Sequence, residues 1–271
     1  VIVNLFPAGQ LGGERELIEA AKLGSLQICM VSGAIAGYFK PAMVLDLPYL
    51  FSSAPVAWKV LDGPFGQELA DAILKETGLR NLAYGETGFR NFTNSKRPIH
   101  TPADMDGVKI RTMGLDTHKA IITAMGGQPA AISWSEVYSA LQTGVADGQM
   151  NPIPIIAFAK FQEVQKYLSI TGHVYTPAYI LTSKAQWDGW PDDVKATLTE
   201  CANSTQDFTY QKAAELETEL LDVIKAAGVE VNEADKDAFI EASKPIYDAF
   251  AAEVEGGGEM IEAVLALGAS G

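Results

Sequence analysis

Three side chains of different chemistry fall within the stretch 107–152, which contains G-V-K-I-R-T-M at its start and I-S-W-S-E-V-Y-S-A-L-Q-T-G-V-A-D-G-Q-M-N-P at its end. Arg111 closes the apolar strand pattern Val108-Lys109-Ile110. Trp134 opens a helix pattern after Ile132-Ser133, and Gln149 and Asn151 end a short strand pattern before Pro152. Strand ends and helix starts are where α/β folds place ligands. The planar fork of Arg111 can meet a carboxylate with two parallel hydrogen bonds; the structural alternative is a pair with Asp147. Trp134 can wall a pocket or pack in the core. Pro152 holds Asn151 extended and leaves its amide free to donate and accept.

A second polar group follows a strand pattern in G-F-R-N-F-T-N, where Arg90 can contact a ligand or bridge two parts of the fold. Arg97, in K-R-P, reads as a surface residue. His173 and Tyr175, in T-G-H-V-Y-T-P, can line a cleft or pack as ordinary strand residues. Glu14, in the first turn of a helix pattern, is favoured there by the helix dipole.

Patterns for turnover are missing. His100, His118 and His173 lie in no H-E-x-x-H, and the chain has no G-x-S-x-G, no P-loop and no G-x-G-x-x-G after a strand. No His, Cys, Asp and Glu cluster suggests a metal, so no metal and no cofactor are expected. The 34 Asp and Glu outnumber the 20 Lys and Arg, for a net charge of −14, which argues against nucleic acid. An anionic ligand must therefore be drawn by a local positive site. Cys29 and Cys201 read as two small buried residues rather than a disulfide.

The elements that must position these groups are patterned as follows. Residues 1–6, 26–31, 44–47, 81–94 and 173–183 read as strands, the last interrupted by Pro177. Residues 14–23, 54–61, 64–77, 153–161, 163–167, 192–226 and 233–254 read as helices, with a last short helix ending near Leu267. A helix over 192–226 would span about 50 Å, more than one small domain needs. Alternating strands and helices predict a parallel, doubly wound α/β fold. L-I-E-A-A-K-L-G-S-L-Q at 17–27 echoes V-Y-S-A-L-Q-T-G-V-A-D at 137–147, as two similar lobes would. With 271 residues, two domains are plausible, and no apolar run is long enough to span a membrane. Val1 opens in a strand-like run with no translation start, so an N-terminal piece is expected before it.

Four segments carry a specific resemblance: F-P-A-G-Q-L-G-G-E-R-E-L at 6–17, G-F-R-N-F-T-N-S-K-R-P-I at 88–99, T-P-A-D-M-D-G-V-K-I-R-T at 101–112, and W-S-E-V-Y-S-A-L-Q-T-G-V-A-D-G-Q-M-N-P at 134–152. Together they resemble the DctP-like periplasmic solute-binding proteins of TRAP (tripartite ATP-independent periplasmic) transporters, and the similarity runs through nearly the whole chain. The resemblance implies a two-lobed clamshell of the periplasmic-binding-protein kind, with crossing strands and a long inter-lobe helix. The lobes would be 1–87 plus 177–215 and 88–176 plus 216–271.

By position, Arg111 would pair with the ligand carboxylate, Arg90 would be the second and less uniform arginine, Asn151 the contacting amide, Trp134 the aromatic position and Glu14 a polar cleft position. With His173 and Ser32 these make up the expected ligand-binding set. The resemblance further implies a monomer in the periplasm that binds a small organic acid, has no enzymatic activity, and delivers the acid to TRAP membrane subunits driven by an ion gradient. The alternatives are presentation of the ligand to a sensor kinase, or an enzyme on the same scaffold. Members usually begin with a further strand and helix ahead of the segment that starts at Val1. Val31-Ser32-Gly33 lacks the acid and arginine of sialic-acid binders, which makes sialic acid the less expected ligand.

Overall fold

The structure is a computed structural model that describes residues 2–7 and 9–269. Its elements in order are α1 (Glu14–Leu23), β1 (Cys29–Val31), α2 (Ala54–Leu61), α3 (Pro64–Thr77), β2 (Leu79–Asn94), β3 (Lys109–Thr112), α4 (Asp116–Ala124), β4 (Gln128–Ala131), α5 (Val137–Thr143), β5 (Gly148–Asn151), α6 (Ile153–Phe158), β6 (Tyr167–Ser183), α7 (Lys184–Gly189), α8 (Asp192–Ala226), β7 (Glu230–Glu233), α9 (Lys236–Glu253) and α10 (Gly257–Ala269).

One sheet runs in the order β1-β6-β2-β5-β3-β4, with β7 on β6. Its spine is the antiparallel pair β2 and β6, of 16 and 17 residues. β1 joins the far end of β6 (Cys29 opposite Leu181), and β5 joins the far end of β2 (Asn91 opposite Asn151). Each end of the spine thus carries its own α/β layer. Between them the register shifts at Glu86/Gly88, where Glu86 faces Pro177. Proline cannot donate to a ladder, so pairing is weakest there, and a bend costs least.

The expected doubly wound parallel sheet is therefore corrected. β3 pairs in parallel with β4 and β5, and β6 with β7, but the long central strands run antiparallel. Alternation of strand and helix does not reveal two strands that each serve both layers. The echo between 17–27 and 137–147 does have a structural counterpart. α1 and α5 both end on a left-handed glycine, Gly24 at φ 79° and Gly144 at φ 77°, and each leads into a strand flanking the spine. That conformation costs glycine little and other residues more, so both stops are sharp.

Three local expectations fail. Over 2–6 no strand forms: Ile2, Val3, Leu5 and Phe6 are exposed and pair with no sheet, since apolar residues alone do not make a strand without a partner; Val1 lies outside the described residues. Residues 44–46 belong to a 3₁₀ turn, Lys40–Asp46, started by Pro41 and capped by Leu47; short buried apolar runs do not declare their period. The helix read over 163–167 does not form: Glu163 ends a 3₁₀ turn, Phe161–Glu163, and β6 begins at Tyr167 to pair with β2 and β7.

α8 starts on Pro191 with Asp192 and Asp193 in its first turn and has Lys225 in its last, as the macrodipole favours. It is buried at Ala202 and Tyr210, where Gln206 and Thr209 bond the backbone of β2 at Tyr84 and Glu86. It is buried again at Ile224, with Leu220 and Leu221 packed on the second layer's core of Val137, Leu141, Ile156 and Phe161. One helix thus spans both layers. The main core runs from Ile18 through Val44, Phe92 and Ile110 to Phe239 and Val264. Cys29 is buried and Cys201 exposed, both free; the reading of Cys201 as buried is corrected, because its position on α8 faces solvent.

Candidate functional site

Arg111, at the end of β3, lies beside Ala130 of β4 and Gln149 of β5 and is only 4% exposed. Its Nε donates to the Ile132 carbonyl at 3.0 Å, and its guanidinium stands over the Trp134 ring at 5.7 Å. Asp147, the structural alternative, is engaged elsewhere: it accepts from the Lys109 backbone at 2.7 Å and pairs with Lys96 at 2.8 Å. Trp134 is half exposed at the start of a short 3₁₀ turn and meets Phe161 edge-on, its ring centre 5.7 Å away.

Arg90 is buried just after the irregular middle of β2. Its Nε donates to Thr176 Oγ1 at 2.8 Å, and its Nη1 donates to the Met150 carbonyl and to Asn151 Oδ1, both at 3.1 Å. Asn151 in turn donates from Nδ2 to Gln149 Oε1 at 2.5 Å, and Gln149 donates to Thr93 Oγ1 at 2.9 Å. The amide is therefore oriented by protein groups on both sides, and one N–H of Nδ2 is left to offer.

Among the described residues, no carboxylate forms an ion pair with either guanidinium. Burial lowers the pKa of Arg90, with Asp46 and Glu14 opposing. Burial, and then the charge of Arg90, push Arg111 down to about 10, with Glu14 opposing. Both remain charged at neutral pH, so the site concentrates positive potential in an acidic protein.

Glu14 acts electrostatically on both arginines from the first turn of α1. Ser32 Oγ donates to one of its oxygens at 2.6 Å, and the Ala34 backbone N–H to the other at 3.3 Å. Glu14 is thus held by the 31–34 corner, a role beyond the dipole-favoured charge read from its position. A groove of about 330 Å³ opens beside Trp134, between Gly9, Gly12 and Gly13 ahead of α1 and Tyr138, Ala159 and Phe161.

The structure brings Arg90, Arg111, Trp134 and Asn151 into one connected group, with Glu14 and Ser32 coupled to it. His173 stands apart. It is fully buried, stacked on Phe92 at 4.2 Å, with Thr171 Oγ1 at 2.8 Å from one ring nitrogen and Met150 Sδ at 3.3 Å from the other. Burial, then Arg90 and His118, hold its pKa well below the usual histidine value, so it is neutral. It backs the residue whose carbonyl binds Arg90. Arg97 is a surface residue, its Nη2 donating to the Asp106 carbonyl at 2.6 Å. Sequence reasoning missed Asp46 and Thr176, which reach Arg90 from behind; an acid inside the apolar run V-L-D-L-P was the available signal. Among the described residues no cluster of three or more His, Cys, Asp and Glu could hold a metal, and no helix is long and apolar enough to cross a membrane.

Two α/β layers on a shared antiparallel spine, bridged by one long helix, with paired guanidiniums buried where they meet, describe a two-lobed binding protein. The family model for bacterial extracellular solute-binding proteins, family 7 (DctP), matches residues 1–253, and the chain belongs to that family. It is 36% identical over 265 residues to the 2,3-diketo-L-gulonate-binding periplasmic protein YiaO of Escherichia coli, covering 97% of this chain and 80% of that one. A TRAP periplasmic solute-binding protein from Sulfitobacter sp. NAS-14.1 with bound β-D-galacturonate superposes at a TM-score of 0.93, with 33% identity over 97% of this chain and 88% of that one. Another from Sulfurospirillum deleyianum, with bound succinate, superposes at 0.91, with 32% identity over 97% and 86%.

Proposed function

We propose that this protein binds an organic acid anion between its lobes in the periplasm and delivers it to TRAP membrane subunits for uptake driven by an ion gradient. The observation that carries this reading is a pair of buried guanidiniums, neither of which is in direct ion-pair contact with a carboxylate among the described residues. An uncompensated buried cation is costly, and a ligand carboxylate relieves that cost. Arg111 is the anchor, with its fork free apart from Nε. Arg90 and Asn151 form the polar wall, Trp134 the aromatic one, and Glu14 with Ser32 the opposing face. His173 supports the site from the core.

The lobes divide near Glu86–Gly88 and Thr176–Pro177, where the spine loses register, and between residues 215 and 216 of α8, between its two docking points. That gives 1–87 plus 177–215 against 88–176 plus 216–271, with α10 packed against both α2 and α9. A ligand that contacts both lobes binds the closed form better and shifts the population toward it. The protein works as a monomer, without cofactor or nucleic acid, and releases its ligand chemically unchanged.

A thermal-shift panel of organic acids tests this. A binding acid at about 100 times its Kd stabilises the wild type by about 2.7 kcal/mol, and Arg111→Ala loses the shift. An Arg111→Ala protein that keeps the full shift removes Arg111 as the anchor.

A further inference from the structure

Asp46 sits in the apolar run M-V-L-D-L-P and is 2% exposed. Its Oδ1 accepts from Thr176 Oγ1 at 3.3 Å, and that hydroxyl oxygen itself accepts from Arg90 Nε at 2.8 Å. On its other side, His118 Nε2 stands 3.4 Å from Oδ2, within ion-pair distance though without a well-directed hydrogen bond. A Cβ on Gly33 would come within 2.9 Å of Oδ2, so this carboxylate is closely enclosed.

The two arginines therefore differ. Arg90 has a buried counter-charge one hydroxyl away, whereas Arg111 has only a carbonyl and a ring. Glu14 acts on both. Glu14 and Asp46 therefore already place two carboxylates around the two guanidiniums, Asp46 on the Arg90 side. One ligand carboxylate has the open fork of Arg111 to meet directly. A second would find no open guanidinium and would join the first beside Glu14 and Asp46 in a desolvated site, where repulsion between like charges grows steeply.

We propose that Asp46 sets the charge class of the ligand: it neutralises Arg90 from behind through Thr176, leaves Arg111 as the one guanidinium open to a carboxylate, and so selects a hydroxylated monocarboxylate over the corresponding dicarboxylate. The hydroxyls face the carboxylate of Glu14, an acceptor, and the remaining N–H of Asn151, a donor. This rests on Arg111 as the carboxylate anchor, which the Arg111→Ala panel judges separately.

Matched acids that differ only by oxidation of a terminal CH₂OH isolate the charge: D-galactonate with galactarate, and D-erythronate with meso-tartrate. Calorimetric titration of the wild type is expected to give a monoacid at least about tenfold tighter than its diacid. Asp46→Asn narrows that ratio by about tenfold, through a gain for the diacid. Thr176→Val, which keeps the Asp46 charge but cuts its link to Arg90, weakens the monoacid and narrows the ratio less than Asp46→Asn does. The proposal is overturned by a folded Asp46→Asn protein with the wild-type ratio, by a wild type that binds diacid as tightly as monoacid, or by binding of neither monoacid. Should Asp46→Asn not fold, as judged by circular dichroism, the wild-type ratio and Thr176→Val decide it. If acids bind while Asp46→Asn leaves the ratio unchanged, this proposal alone falls and the organic-acid reading stands.

Discussion

The guanidinium of Arg111 lies 5.7 Å from the centre of the Trp134 ring, and the indole is half exposed while the arginine is buried. The ring shields one face of the cation without neutralising it, leaving the forked edge for a carboxylate. Trp134→Ala should weaken ligand binding about fivefold to tenfold, the loss expected of a partly desolvated cation–π contact of about 1 kcal/mol. Trp134→Phe should recover most of it. Titration calorimetry measures both, and an unchanged Trp134→Ala affinity would remove the ring from the site.

Arg111 should make the empty protein less stable. Its folded pKa, about 10, lies below the ordinary 12.5, so the unfolded chain holds the proton more tightly. The destabilisation is complete below pH 10 and is relieved as pH rises from 10 toward 12.5. Arg111→Met keeps the apolar stem and removes the charge. Without ligand it should melt higher at neutral pH by about 2 kcal/mol, or about 5 °C. The gap between the two proteins should shrink above pH 10, which calorimetric melts across that range would show.

Glu86, at the middle of the spine, accepts from Trp58 Nε1 and from the Tyr175 hydroxyl, and burial raises its pKa. A carboxyl raised in the folded state contributes stability that is complete below its unfolded value and is lost as pH rises through its folded value. Glu86→Gln should remove that dependence. Its stability relative to wild type should therefore rise between acid and neutral pH, as read by denaturant titration at several pH values. A constant difference would place the carboxylate outside the coupling.

The two thiols should react differently. Cys201 is exposed, whereas burial and then Glu14 push Cys29 up to about 12. Native protein should release one equivalent of thionitrobenzoate quickly with Ellman's reagent and a second on unfolding. Cys201→Ser should abolish the fast phase.

Local signals carried much of this structure. Proline and acids at one end and a basic last turn at the other place α8 over Asp192–Ala226, as the sequence pattern predicts, and α2 and α3 agree equally well. Arg111, Asn151 and Trp134 are legible because each ends or starts an element with strong local punctuation. The link from Asp46 through Thr176 to Arg90 joins residues far apart in sequence and follows no spacing rule, so only the fold reveals it. The same holds for the antiparallel spine: a strand that serves two layers looks, residue by residue, like any buried strand. His173 misleads for the complementary reason, since a histidine satisfied by a neighbouring threonine and a methionine sulfur resembles, in sequence, one that awaits a ligand.

The pairing of β1 with residues 179–181 also bears on how the chain is made. Cys29 emerges from a ribosome about 150 residues before its partner Leu181, and contacts so distant in sequence slow folding. No N-terminal fragment can complete the first lobe's sheet. Until β6 is released, Cys29–Val31 lacks the strand it pairs with, so this part of the sheet closes only after residues 179–181 have been made.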